Sequence, residues 1–269
     1  MSETTVTSDT GMQTTVTRED AGGVATVTLQ QPGISRAMRR ELLEVVQGIA
    51  ADESVRAVLL TGTGRAFCVG QDLAEHVESL RGNAATSLRV IEDEYNPLVL
   101  AVAALRVPVV VAVNGACAGA GLGLAMAGDL RVAAAGAKFT TAFTGIGLSS
   151  DSALAARLVH TVGVGRATEL LLLPDPFTAE SALQWGLVHR VVAPEQVATE
   201  ARALAERLAT GPTAAYRAVK TVLASAPTDS LEDTLALEAR LQTELGRTAD
   251  HGEAVEAFLA KRQPRFTGH

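Results

Sequence analysis

The chain has 269 residues, a formal net charge of -7, 47% apolar residues and only 3% aromatic ones. That suffices for one large domain with an aliphatic, alanine-rich core, and the acidic balance with few aromatics argues against nucleic-acid binding, which needs basic patches and stacking platforms. Two cysteines, Cys68 and Cys117, make neither a disulfide framework nor a metal-ligand spacing, so a reducing compartment and no metal site are expected.

Residues 1–13 are rich in Ser and Thr, show no signal-peptide pattern and are expected to be a disordered tail. Val24–Leu29 (VATVTL) alternates as a half-buried strand, and Pro32-Gly33 marks a turn. Arg36–Ile49 reads as an amphipathic helix with Leu42, Leu43, Val46 and Ile49 on one face and Arg39 and Arg40 on its solvated face. Ala57–Thr61 is a short buried strand leading into Gly62–Arg65 and then AFCVGQDL, where Gly70 breaks the apolar run and Asp72 stands at a helix start. Glu75 and His76 follow on that helix and read as solvated, with lining of a ligand channel as the alternative. From about Ser87 a helix places Ile91, Tyr95, Leu98, Val102 and Leu105 on one side until Pro108. Strand, turn, helix, strand is the rhythm of parallel crossover units.

Val109–Val113 is β-branched and small, and reads as a central buried strand. Asn114-Gly115 turns the chain, Gly119-Ala120-Gly121 follows, and Leu122–Ala127 looks like a buried helix. A glycine-rich turn at a helix start offers N–H groups that no helical carbonyl satisfies, and it lets an anionic oxygen approach closely. Tight packing alone explains the same residues. A dinucleotide turn does not, because the spacing is GxGxG and no acidic residue follows at the ribose distance. Ser149-Ser150-Asp151 precedes a helix at Ala153–Val159, and any of the three can cap it. Further helices are expected at Arg166–Leu172, Thr178–Trp185, Glu195–Ala209, Thr213–Ala224, Leu231–Leu245 and Gly252–Arg262, with a strand at Leu187–Val192 and no internal sequence repeat. No stretch reaches the ~18 apolar residues of a membrane span. A cytoplasmic protein is expected.

The turns AFCVGQDL and NGACAGAGLGLAMAGD stand beside GRATELLLL, WGLVHRVV, GPTAAYRAVK and a terminal FLAKRQPRFTG. Together they resemble the crotonase, or enoyl-CoA hydratase/isomerase, family from about Val24 to the C-terminus. The resemblance implies an α/β fold, a spiral core of ββα units over residues 14–200, and a C-terminal helical trimerisation region over 201–269. It implies an acyl-CoA thioester as substrate, with coenzyme A belonging to the substrate and no separate cofactor. By position, the N–H groups of Cys68 and Ala120 would hold the thioester oxygen. Preorganised donors of that kind are worth ~2.7–4 kcal/mol each. Arg36, Ala37, Val69, Gly70, Gln71 and Gly119 would contact coenzyme A or the thioester, and Phe143 the acyl group. Phe258 and Lys261 would reach the coenzyme A of a neighbouring subunit in a homotrimer or a dimer of trimers, although Lys261 also reads as an ordinary surface lysine.

The two glutamates used by typical hydratases in this family fall at Gly123 and Phe143. Neither residue can activate water or protonate carbon. The branch that includes ring-1,2-epoxyphenylacetyl-CoA isomerase has an aspartate in the stretch matching AFTGIGLSSD, and GRAFCVGQDL, YNPLV and the C-terminus also match it. Here Ser150 replaces a proline, and Ala153-Leu154 a glycine pair. Asp151 is thus the candidate acid/base, with helix capping as its alternative use. An aspartate among Phe143, Ile146 and Leu148 would have a raised pKa suited to shuttling one proton. The dehalogenases of the family share glycine at 123 and aspartate at 151. They also need a histidine near position 87, and none lies between His76 and His160. A covalent role for Cys68 lacks a nearby histidine in sequence. An isomerase is therefore expected first, with an enoyl-CoA hydratase of fatty-acid degradation or a non-catalytic acyl-CoA binder as alternatives.

Overall fold

The computed structural model describes residues 14–83 and 85–269, so the expected tail over 1–13 lies outside the described residues. The chain opens with a hairpin. β1 (Val16–Ala21) pairs antiparallel with β2 (Val24–Leu29), and the loop is Gly22-Gly23, both at positive φ. Two-residue hairpin loops need that conformation, and glycine adopts it without a steric penalty. β1 was not expected from the sequence. Arg18, Glu19 and Asp20 mask its periodicity, and they suit an edge strand, where charge discourages pairing with other chains.

After β2, α1 (Arg36–Ala50) starts under the Ser35 side chain, which accepts from Met38 N–H. β3 (Ala57–Gly62) and β4 (Ala66–Cys68) follow, then α2 (Leu73–Asn83). The segment expected as one helix from Ser87 is instead a π-helical turn at Ile91–Tyr95 running into α3 (Asn96–Ala103). β5 (Val109–Val113), β6 (Ala116–Ala118) and α4 (Ala120–Ala127) come next. α4 begins two residues before the expected start, with Gly119 as its N-cap at φ 53. Every residue of α4 is buried, which accounts for its lack of a polar face.

β7 (Leu130–Ala134), β8 (Lys138–Thr140) and a 3-10 turn at Phe143–Ile146 lead to α5 (Leu154–Leu172). This helix joins two expected pieces across a break at Gly163, φ 75. β9 (Phe177–Thr178), α6 (Ala179–Gln184) and β10 (Arg190–Val192) complete the sheets. The C-terminal part is α7 (Val197–Ala209), α8 (Thr213–Ser225), α9 (Leu231–Leu245) and α10 (Ala249–Leu259).

Two sheets result. The larger has the order β1-β2-β3-β5-β7-β10, parallel except for β1 against β2. The smaller is β4-β6-β8-β9, with β9 antiparallel. The three passes that begin at β3, β5 and β7 each lay one strand in the large sheet, one in the small sheet, and then a helix. This is the expected spiral of ββα units. Asn114 fastens successive passes, donating to Gly64 O and Ala66 O and accepting from Gly62 N–H. α7 packs across β2, β3, β5 and β7.

Candidate active site

The two glycine-bearing turns meet because β4 and β6 are parallel neighbours, with Cys68 opposite Cys117. Both strands end at the same edge and release their turns side by side. Gly70 sits at φ +90, and a Cβ there would stand 3.3 Å from Ala118 O and 3.4 Å from Ala120 N. A Cβ on Gly121 would collide with the Cys68 carbonyl and lie 2.8 Å from Cys68 Cβ. The Cys68 backbone therefore lies on the first turn of α4. Ala120, the first residue of α4, has an N–H that its own helix cannot satisfy. The Cys68 thiol is buried, and that burial pushes its pKa up to about 12 against a bond from Gly70 N–H. A thiol held protonated is not a nucleophile. The backbone is what Cys68 offers.

The same edge brings the expected coenzyme A contacts together. Val69 N–H donates to Pro32 O at 2.8 Å, Ile34 N–H to Gly70 O at 2.8 Å, and Asp72 N–H to Ile34 O at 3.2 Å. Ile34 also bridges Gln71. This lacing sets Arg36 and Ala37, both exposed, next to Val69, Gly70 and Gln71. Glu75 accepts from Arg36 N–H at 2.8 and 3.0 Å, and Arg36 Nε lies 3.4 Å from Glu94.

Two readings of the sequence are corrected here. Arg39 is not solvated. It is 4% exposed, donates to Glu94 at 2.6 Å and to Ile34 O at 3.0 Å, and stacks over the Tyr95 ring at 5.1 Å. Glu75 is a half-buried partner of Arg36 and Arg39 rather than a solvated group. The network braces the turn from below. Its two carboxylates stand 36 and 55 positions from Arg39, so periodicity along α1 gives no sign of it.

Asp151 lies on the other side of α4. The N-cap of α5 is Ala153, and no side chain caps that helix. The Asp151 carboxylate is therefore not the cap. Its Oδ1 accepts from Ser152 Oγ at 2.7 Å, and its backbone carbonyl accepts from Leu154 N–H. Burial raises its pKa, and the Ser152 hydroxyl opposes the rise. A Cβ on Gly123 would stand 2.5 Å from Ser152 Cβ, so the Asp151-Ser152 segment rests on α4 at position 123. The ring of Phe143 lies 3.9 Å from where a Gly119 Cβ would be. Ile146, expected to help bury Asp151, is itself 69% exposed.

Tyr95, buried at 2% exposure, ties the two sides together. Burial raises its pKa, the Arg39 guanidinium opposes the rise, and the Asp151 charge adds to it. The Cys68 backbone at Gly121 and the Asp151-Ser152 segment at Gly123 thus both pack on the first turns of α4. Such a set can stabilise an oxyanion and move a proton beside it. Phe258, 82% exposed, and Lys261 stand on the C-terminal arm, at the end of α10, rather than against α4.

Comparison with known proteins agrees with this geometry. The family model described as enoyl-CoA hydratase/isomerase matches residues 19–269. The 1,2-epoxyphenylacetyl-CoA isomerase of Escherichia coli is 42% identical over 250 residues, covering 91% of this chain and 95% of the relative. A probable enoyl-CoA hydratase of Rhodobacter capsulatus is also 42% identical, over 261 residues, covering 94% and 98%. The crystal structure of a Mycobacterium abscessus protein described as an enoyl-CoA hydratase/isomerase superposes with TM-score 0.92 at 48% identity, covering 94% of this chain and all of that one. Relatives at equal identity bear the names of different reactions, so the reaction has to be argued from the site.

Proposed function

Because the chain belongs to the enoyl-CoA hydratase/isomerase family, we propose that it isomerises an acyl-CoA thioester, with Asp151 as the acid/base. Coenzyme A lies along Arg36, Ala37 and Val69–Gln71. The thioester oxygen is received by the N–H groups of Cys68 and Ala120, with Gly119 giving that oxygen room. Asp151 removes a proton from Cα, the enolate charge rests on the two N–H groups, and the proton returns at Cγ as the double bond moves from β,γ to α,β. An aromatic epoxy-acyl-CoA is the other substrate of this class. Phe143 packs against the acyl chain. No cofactor takes part beyond the coenzyme A of the substrate.

The observation that supports this reading most is the Asp151 carboxylate, held by burial toward the protonated form and not spent on capping α5. One carboxylate with a raised pKa can take up and return the same proton. Gly123 and Phe143, at the positions where hydratase glutamates fall, leave no second carboxylate to activate water. The Rhodobacter relative favours hydration as a second reading. A turnover screen over enoyl-CoAs differing in double-bond position separates them. Isomerisation of a 3-enoyl-CoA with little hydration of crotonyl-CoA is expected, and the reverse pattern overturns the proposal.

Assembly belongs to the same reading. Val219, Leu223 and Leu235 are exposed along a groove of about 880 Å³ between α8 and α9, and Phe258 and Leu259 are exposed at the end of α10. Apolar surface on that scale marks an interface. A homotrimer or a dimer of trimers covers it and brings Phe258 and Lys261 to a neighbouring subunit's coenzyme A.

A further inference from the structure

Ser152 is held in a conformation that a serine avoids. Its φ is +54, and Ala153 follows at +57. Glycine and asparagine are the usual occupants of that region. The residue is also 2% exposed, wedged against α4 so tightly that only a glycine at position 123 leaves room for it. A buried hydroxyl needs a partner, and this one has Asp151 Oδ1 at 2.7 Å.

We infer that Ser152 is a positioning residue for proton transfer, an inference that rests on Asp151 being the acid/base. A serine hydroxyl has one proton to donate. Donated to Oδ1, it fixes the carboxylate plane and leaves Oδ2 as the oxygen that exchanges a proton with the acyl chain. The bond is to the charged form, so it also opposes the effect of burial on Asp151. Gly123 then has a use of its own, since the space that a larger residue would take on α4 is filled by the side chain that orients Asp151.

Of the elements beside Asp151, α5 carries Arg157 and the exposed His160 in its first two turns. α4 contributes no ionisable side chain. Tyr95, from the π-helical turn, is a titratable group whose pKa the Asp151 charge helps to raise, and Cys68 is the buried thiol at the end of β4. Burial raises the pKa of both, so both stay neutral near pH 7. An acid limb that moves when Ser152 is replaced therefore reports the carboxylate that Ser152 bonds.

The test compares Ser152→Ala, Ser152→Gly and Asp151→Asn, using a 3-enoyl-CoA as probe. Ser152→Ala is expected to lower kcat by about ten- to a hundredfold, the size of one lost hydrogen bond to a charged group. It should also move the acid limb to higher pH, because burial then acts unopposed. Ser152→Gly relieves the positive φ and should raise or keep Tm, yet show the same slower rate and shifted limb. A serine needed only for the turn predicts no shift. If Asp151→Asn is inactive while both Ser152 variants keep the kcat and pH profile of the unmodified protein, the role of Ser152 is refuted and that of Asp151 stands. If Asp151→Asn retains full turnover, both fall.

Discussion

Replacing Gly121 with alanine tests the meeting of the two turns. The new Cβ would lie 2.6 Å from the Cys68 carbonyl carbon and 2.8 Å from Cys68 Cβ. Carbon atoms pack at ~3.5–4.0 Å, so β4 and the start of α4 must separate by about 1 Å. Neither atom is the far end of a flexible side chain, so the backbone itself has to yield. Overpacking of this kind costs ~1–3 kcal/mol, which lowers Tm by about 2–12 °C for a chain of this size. The functional loss is larger. A donor displaced from a developing oxyanion lowers kcat by ~10²–10³. The assay is steady-state isomerisation of a 3-enoyl-CoA beside thermal unfolding. Gly82→Ala is the control, because a Cβ there meets nothing within 4 Å, and trading glycine for alanine inside a helix gains up to ~1 kcal/mol. If Gly121→Ala matches the unmodified protein in both kcat and Tm, the two turns are not in contact and the oxyanion argument fails.

Other expectations follow from the same geometry. Gly123→Glu should not create hydratase activity, because the new side chain meets Ser152 Cβ at 2.5 Å; crotonyl-CoA hydration by that variant would show that α4 has room the structure denies. Arg39→Leu should destabilise by about 2–3 kcal/mol in denaturant titration, below the ~3–5 of a fully buried broken pair because Glu94 and Glu75 keep 22% and 35% side-chain exposure; an unchanged midpoint would mean the brace is idle. Leu223→Asp with Leu235→Asp should reduce the mass seen by sedimentation to that of one chain, and an unchanged mass would place the interface elsewhere. Asp151→Asn should raise stability near pH 7. The folded pKa of Asp151 is raised by burial, so its stability contribution is complete below the unfolded value of ~3.9 and is lost as pH rises through the folded value. The gain from asparagine should therefore vanish in acid, and a pH-independent gain would contradict the burial argument.

Much of this was legible in the chain itself. Val109–Val113 and Ala57–Thr61 announce themselves by composition, and both are central parallel strands. The turn residues around Gly70 and Gly119–Gly121 point to a shared site because close backbone approach requires glycine at 70 and 121 and a positive φ favours it at 119. β1 had a usable signal, the Gly22-Gly23 pair ahead of an alternating run, but its charged residues hid the period. Arg39 had none. Its burial depends on Glu75 and Glu94, brought in by the fold from other elements. Ser152 was overlooked for a third reason. Its chemistry depends on a φ and a neighbour at Gly123 that spacing does not encode.

The central claim is that a single carboxylate, Asp151, performs the proton transfers. The measurement that meets it most directly is kcat of Asp151→Asn on a 3-enoyl-CoA, taken beside crotonyl-CoA hydration by the unmodified protein. Asparagine keeps the shape and accepts from Ser152 but cannot exchange a proton. General acid–base catalysis contributes ~10²–10⁴-fold, so a fall of that size is predicted, with coenzyme A affinity unchanged and hydration slow. Isomerisation by Asp151→Asn at the rate of the unmodified protein, or fast hydration of crotonyl-CoA, would contradict the account.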